Sequence, residues 1–262
     1  MPEKLNIDLS HEIKKLEILS KRLVSSKFLG MYKSRLRGRG LEFNNFREYT
    51  LVDDASLIDW KVSARVNKPI IKEFVQERNL DVFILIDVSS TMVFGSTKKL
   101  KNEYVAELAA TLAYAVLNVG DNLGYAFFSD NIFNYMAPKS GKNLFYKLSR
   151  SIVNPEIYGG NYDLESALKK ITESLNRNSV LIIISDFIGL KGDWQKYLER
   201  ASYKFDVIGI MVRDPRDKDL PENSSMVLIE DPFSSEKLVL DPTEAVRQKY
   251  RKYVENQWKI LF

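Results

Sequence analysis

The chain has 262 residues, a formal charge of +4, 45% hydrophobic residues and 28% charged ones, which suits one large soluble domain with an appendage or two small domains. It has no cysteine and a single histidine, His11, which excludes disulfides, thiolate nucleophiles, sulfur-ligated zinc and nearly every histidine-based metal or acid/base scheme. Any bound metal must therefore be held by oxygen.

In chain order, the first expected element is an amphipathic helix over residues 10–25. Ile13, Leu16, Leu19 and Leu23 recur there at helical spacing among Lys and Glu, and His11 faces water at its start. Lys33, Arg35, Arg37 and Arg39 then form a basic cluster. It reads as a solvated face, or alternatively as a contact for phosphate. From Ser34 to Glu77 the text is irregular, with Gly38 and Gly40, and ends in the extended stretch Pro69–Val75. Residues 1–78 are accordingly assigned to an amino-terminal helix and a small irregular subdomain.

Residues 79–262 alternate strand and helix. Strands are expected at 82–86, 123–128, 131–136, 180–184 and 207–212, with helices near 99–119, 142–152, 163–175 and 194–203. The turn Ser129-Asp130-Asn131 is too short for a crossover, so one strand is antiparallel. A short strand pair near 226–229 and 237–240 completes the sheet. A last helix starts at Asp241-Pro242-Thr243-Glu244, with Asp241 as its cap, and buries Val246, Tyr250, Val254, Trp258 and Leu261. The fold class is α/β: a doubly wound, mostly parallel sheet with one antiparallel strand, preceded by the small irregular amino-terminal subdomain.

The chemistry concentrates where strands end. The apolar run Asp81–Ile86 leads into Asp87-Val88-Ser89-Ser90-Thr91, and a second apolar run, Val180–Ile184, leads into Ser185-Asp186. Between them lies Gly159-Gly160-Asn161-Tyr162-Asp163. Carboxyl ends of neighbouring parallel strands open at one edge of such a sheet, so the three loops can converge. Carboxylates and hydroxyls are hard ligands suited to Mg²⁺ or Mn²⁺, with an open position left for water. Helix capping by Asp87 and Asp186 is the alternative, but it predicts neither the alternating hydroxyls nor a second acid after a buried strand. Asp163 reads as a helix cap. Trp60 and Phe43 read as core residues, and Asp53, Asp54 and Asp59 as turn formers with ion pairs to Arg47 or Arg65.

Asp87-x-Ser89-x-Thr91, the glycine turn and Asp186 resemble the metal-ion-dependent adhesion site of von Willebrand factor A domains. There a partner's acidic residue can complete the metal's coordination. Upstream, Gly38-Arg39-Gly40-Leu41-Glu42-Phe43, Arg47-Glu48-Tyr49, Asp53-Asp54, Ile58-Asp59-Trp60 and Ser63-Ala64-Arg65 resemble the signature of domain-of-unknown-function family 58. The resemblance implies metal ligation by Asp87, Ser89, Thr91 and Asp186. The second loop departs from the pattern: Gly160-Asn161-Tyr162-Asp163 stands where Gly-Gly-Thr-Asp is usual, so the missing threonine's place falls to Tyr162 or Asn161. Val52 and Ser56 stand where the family usually has glycine and arginine.

A haloacid-dehalogenase-type phosphatase also begins from an aspartate after a buried strand. Its second acid, two residues on, is Ser89 here, which cannot serve as general acid. No Gly-x-x-x-x-Gly-Lys phosphate loop occurs, and His11 stands alone. The expectation is a non-enzymatic, metal-dependent protein-binding module, for which the resemblance implies a MoxR-type AAA+ ATPase as partner. The alternative is a nucleic-acid or anionic-surface binder using Lys33–Arg39. Met1-Pro2-Glu3-Lys4 lacks a signal-peptide pattern, and no apolar run reaches the roughly 18 residues needed to span a bilayer, so a cytoplasmic protein is expected.

Overall fold

A computed structural model describes residues 14–20, 42–50, 53–75, 79–222 and 226–259. Its contacts divide the chain into two units, one spanning residues 26–80 and the other the remainder.

The smaller unit is more regular than its sequence suggests. Strand β1 (Glu42–Glu48) pairs antiparallel with β2 (Ile70–Val75), and helix α1 (Trp60–Val66) lies between them in sequence. β1 reads Glu-Phe-Asn-Asn-Phe-Arg-Glu, without the strict alternation that marks a strand, and its register shifts between Phe43 and Asn45. Polar side chains organise this unit. Asp59 accepts from the N–H groups of Lys61 and Val62 and so caps α1, while Ser63 accepts from the N–H of Ile70 at 2.8 Å and ties α1 to β2. Asp53 and Arg47 form a bidentate pair at 2.6 and 2.7 Å. Trp60, expected in a core, is 71% exposed, because it is the first residue of a short helix whose buried position is Ser63. The side chain of Phe43, Val52 and the cluster Lys33–Arg39 lie outside the described residues.

In the larger unit five strands run in the order β5-β4-β3-β6-β7. These are β3 (Asp81–Asp87), β4 (Asn122–Phe128), β5 (Ile132–Lys139), β6 (Val180–Ser185) and β7 (Asp206–Met211). β3 pairs in parallel with both β4 and β6, β6 pairs in parallel with β7, and β5 is antiparallel. The central strands are continuous apolar runs because helices cover both faces. One face carries α2 (Lys101–Val119), which buries Val105, Ala109, Leu112 and Val116 at helical spacing; α3 (Asn143–Ile152) follows β5. On the other face α4 (Leu164–Ser174) and α5 (Trp194–Ser202) share a core with Phe83, Leu85, Phe128 and Ile183. The chain winds outward from β3 to β4 and β5, then returns to place β6 on the other side of β3. The switch point therefore lies between the carboxyl ends of β3 and β6.

Three expectations are corrected. Strands β8 (Val227–Glu230) and β9 (Lys237–Leu240) form a separate two-stranded antiparallel sheet and do not extend the main one. Helix α6 (Glu244–Trp258) is preceded by Thr243 rather than capped by Asp241. Its Val246, Tyr250 and Val254 are only half-buried, while Arg247 is buried. Arg247 pairs with Asp219, Glu222 and Glu244 at 2.7–3.1 Å, so this helix is held by an ionic cluster where the pattern suggested an apolar stripe. Finally, the helical segment 14–20 belongs with the larger unit. Its Leu16 is buried, and Glu17 lines a cavity with Tyr114, Leu117 and Phe145. An apolar stripe packs wherever a matching surface lies, which sequence adjacency does not specify. Ile13, Leu23, His11 and Leu261 lie outside the described residues.

Candidate functional site

The first loop leaves β3 at Asp87, whose two carboxylate oxygens are both engaged. One accepts the N–H of Ser89 at 2.9 Å, the other the hydroxyl of Ser185 at 2.7 Å. The chain then tightens into a 3-10 turn over Ser90–Met92, which brings the hydroxyls of Ser89 and Thr91 to 3.0 Å from each other. The glycine turn is tied to this loop by its backbone. Gly159 N–H donates to the carbonyl of Val88 at 2.8 Å, and the carbonyl of Gly160 accepts from both the N–H and the hydroxyl of Ser90, at 3.1 and 2.9 Å. Gly160 has φ +82°, and a Cβ there would collide with the Asp130 carboxylate, so both conformation and space demand glycine. The third loop carries Asp186, whose Oδ1 accepts the N–H of Ile188 at 2.9 Å. Phe187, between them, sits in the left-handed region at φ 53°, and its N–H is held by Ser185 Oγ at 2.8 Å. Such strain persists where surrounding contacts over-determine it, and it clusters at functional sites.

The three loops thus meet at the switch point. Asp87, Ser89, Ser185 and Asp186 are fully buried there and Thr91 is nearly so. The second loop contributes its backbone and, from Tyr162, a hydroxyl. Asn161 is exposed, and its N–H donates to Asp130 at 3.1 Å. Tyr162 turns into the core: it is 6% exposed, its ring centroid lies 5.6 Å from that of Phe128, and its hydroxyl is 3.3 Å from Ser185 Oγ. Its ring thus packs in the core while its hydroxyl reaches the Ser185 hydroxyl that also serves Asp87. Asp163 accepts the N–H of Ser166 at 2.9 Å and caps α4.

Sequence reasoning missed three groups. Lys101, the first residue of α2, is 3% exposed and places its ammonium 2.7 Å from Asp186 Oδ2 and 3.1 Å from Asp217. Burial pulls the pKa of Arg213 below its ordinary value, against the opposing charges of Asp186 and Asp217. Ser185 bridges Asp87 and Tyr162. Lys98-Lys99-Leu100-Lys101 carries no mark that distinguishes a buried lysine from its solvated neighbours. Only the helix register, which puts position 101 on the sheet side with Val105, could have signalled it.

Burial, followed by the charge of Asp186, raises the pKa of Asp87 to about 7. Burial and then the nearby Asp87 also push the Tyr162 hydroxyl well above its usual value, so it stays neutral. The loop around Asp87 is therefore short of positive charge. A magnesium ion with bonds of roughly 2.0–2.1 Å holds adjacent octahedral oxygens about 2.9 Å apart, and the 3.0 Å between Ser89 and Thr91 fits that spacing. Ser89, Thr91 and Asp87 suit a small hard cation. Among the described residues no group of three or more His, Cys, Asp or Glu is placed to hold a metal, so hydroxyls and added oxygens would have to supply most of the coordination. Asp186, the fourth candidate ligand, is already engaged by Lys101.

A central parallel sheet with one antiparallel edge strand, helices on both faces, and Asp-x-Ser-x-Thr, glycine-turn and aspartate loops at the switch point define a von Willebrand factor A-like α/β domain. The chain belongs to the family described as "Protein of unknown function DUF58", which it matches over residues 45–259. It is 26% identical over 222 residues to the uncharacterized protein Rv1480 of Mycobacterium tuberculosis, covering 84% of this chain and 70% of that one. The uncharacterized protein Mb1516 of Mycobacterium bovis matches to the same extent. Among solved structures, an aerotolerance-related membrane protein from Bacteroides fragilis, with multiple mutations to serine, aligns with a TM-score of 0.48 at 18% identity over 67% of this chain and 88% of that one. BatB from Bacteroides thetaiotaomicron aligns with a TM-score of 0.47 at 18% identity, over 67% and 87%. No helix among the described residues of this chain is long and apolar enough to cross a membrane.

Proposed function

We propose that this protein is a metal-dependent, non-enzymatic protein-binding module in which Asp87, Ser89 and Thr91 hold Mg²⁺ or Mn²⁺ and an acidic residue of the partner completes the coordination. The observation that carries this reading is the pair of hydroxyls 3.0 Å apart beside a buried carboxylate. A bound dication would relieve the electrostatic cost of ionising Asp87. With few protein ligands, such an ion keeps waters that a partner's carboxylate can displace. Thr91 also lines a cavity of about 700 Å³ with Val93, Phe94, Leu220 and Ile229, which suits an acidic residue flanked by apolar neighbours. Ser89 stands where a dehalogenase-type phosphatase places its second acid, which disfavours that chemistry at Asp87. A MoxR-type AAA+ ATPase is the partner class that the family resemblance implies.

Calorimetric titration with Mg²⁺ and Mn²⁺ tests the site. Wild type is expected to bind and Asp87→Ala to lose binding with its fold intact; equal binding by the two overturns the assignment. Capture of a partner that survives chelation, or binding of nucleic acid that falls steeply with salt and ignores Mg²⁺, removes the metal-dependent reading.

A further inference from the structure

The buried ammonium of Lys101 is unusual in three respects. It begins a helix of 19 residues, the end at which the macrodipole disfavours a cation. It is almost wholly removed from water, which is costly for an ion of this kind unless it is paired. And it is paired twice, with Asp186 Oδ2 at 2.7 Å and Asp217 Oδ2 at 3.1 Å, while lying 5.5 Å from the centroid of the Phe94 ring. Asp217 is itself fixed by the N–H of Asp214 at 2.9 Å. A cation has thus been built onto Asp186, the acid whose charge acts on Asp87 in the candidate metal site.

We infer that Lys101 is a tethered counter-ion that neutralises Asp186 in the metal-free site and gives it up to Asp217's side when a divalent cation binds, so that Lys101 sets the metal affinity. This rests on the metal-dependent reading above. The physical argument is one of competition. An ammonium and a dication sharing one carboxylate cluster repel each other strongly in a water-poor setting, and the flexible four-carbon stem of lysine lets its charge move a short way at little cost. Asp217 already stands within hydrogen-bond reach, so Lys101 need not become unpaired when it leaves Asp186. Because Phe94 and Lys101 both line the 700 Å³ cavity, a partner seated there meets the group that resists the metal. Metal and partner then assist each other through a shared, reciprocal coupling.

The test compares wild type, Lys101→Met and Lys101→Arg in Mn²⁺ titrations, together with melting curves in chelator and in Mg²⁺. Lys101→Met is expected to bind Mn²⁺ about tenfold more tightly or better, whereas Lys101→Arg, which keeps the charge, stays near wild type. Lys101→Met should melt lower than wild type in chelator, with two acids left without their cation, and gain more from Mg²⁺. A folded Lys101→Met that binds no more tightly than wild type overturns the inference. Should that variant not fold, the ¹⁵Nζ resonance of Lys101 in lysine-labelled wild type decides. A shift on saturation with Mg²⁺ supports displacement, and an unmoved resonance in a protein that binds Mg²⁺ refutes it. If neither wild type nor Lys101→Met binds Mg²⁺ or Mn²⁺, the metal reading itself fails, and Lys101 is only a structural counter-ion.

Discussion

The acids of the two units live in opposite circumstances. In the smaller unit Asp53 is gripped by Arg47 and Thr50, which hold its carboxyl well below the usual carboxylate range, and Asp54 and Asp59 cap helical turns. At the switch point of the larger unit Asp87 is buried against Asp186 and its pKa is raised to about 7. The same residue type serves cohesion where its charge is satisfied locally. Where the charge is buried without a cation of its own, the site is poised for a ligand, and a strongly perturbed acid in a cleft is a candidate functional group for that reason. This contrast can be broken experimentally.

The largest effect is expected at Asp87. A rise from the ordinary value of about 3.9 to about 7 corresponds to an ionisation cost on the order of 4 kcal/mol. Asp87→Asn keeps the shape but removes the charge. It should weaken Mg²⁺ or Mn²⁺ binding by about a hundredfold or more, yet make the chelated protein more stable at pH 8, by up to about 4 kcal/mol. Isothermal titration and urea unfolding report the two quantities. A variant that is destabilised in chelator at pH 8 would mean that the charge of Asp87 is already compensated.

The same shift fixes a sign for pH. Because the folded-state pKa of Asp87 is raised, its contribution to stability is fully present below pH 4 and is lost as pH rises through about 7. Metal binding runs the other way and should strengthen over the same rise, as the carboxylate ionises. Unfolding curves of wild type in chelator, referenced to Asp87→Asn, should therefore diverge between about pH 4 and pH 7. In Mg²⁺ the divergence should shrink or reverse. Parallel curves would show that Asp87 does not titrate there.

Tyr162 sharpens the comparison from the structural side. It is packed in the core with Phe128 and Leu168, so Tyr162→Thr, which would restore the threonine usual in the family, should open a cavity and cost about 3 kcal/mol without tightening metal binding. Tighter binding with unchanged stability would place Tyr162 at the ligand position after all.

How much of this was legible in sequence depends on the range of the signal. The buried strands, the antiparallel β5 and the three loops could be read because apolar runs, turn residues and strand-terminal acids are local patterns, and parallel topology then forces the strand ends together. The partition of the polar groups could not be read. Asp186's partner Lys101 is distant in sequence and lies among three other residues of the same solvated-looking run. Ser185 looks like any residue before an acid, and Arg247 occupies a stripe whose neighbours are apolar. β2 was legible as the extended stretch Pro69–Val75, but its partner β1 escaped because its order comes from polar contacts, above all the Arg47–Asp53 ion pair, instead of alternation.

The smallest effect belongs to that ion pair. Arg47 and Asp53 meet at 2.6 Å, but Arg47 is 39% exposed, so water screens the attraction and the pair contributes little at neutral pH. Arg47→Ala should lower the melting temperature only slightly and leave metal affinity within about twofold of wild type. Its pH signature is opposite to that of Asp87. The folded-state pKa of Asp53 is depressed, so its contribution is present above about pH 4 and is lost as pH falls through the depressed value. Asp53→Asn should therefore lie below wild type by a small, constant amount between pH 5 and 8, and that gap should narrow under acid. A metal titration in which Arg47→Ala matched the loss seen with Asp87→Ala would break the comparison entirely, because the two sets of acids would then no longer serve different ends.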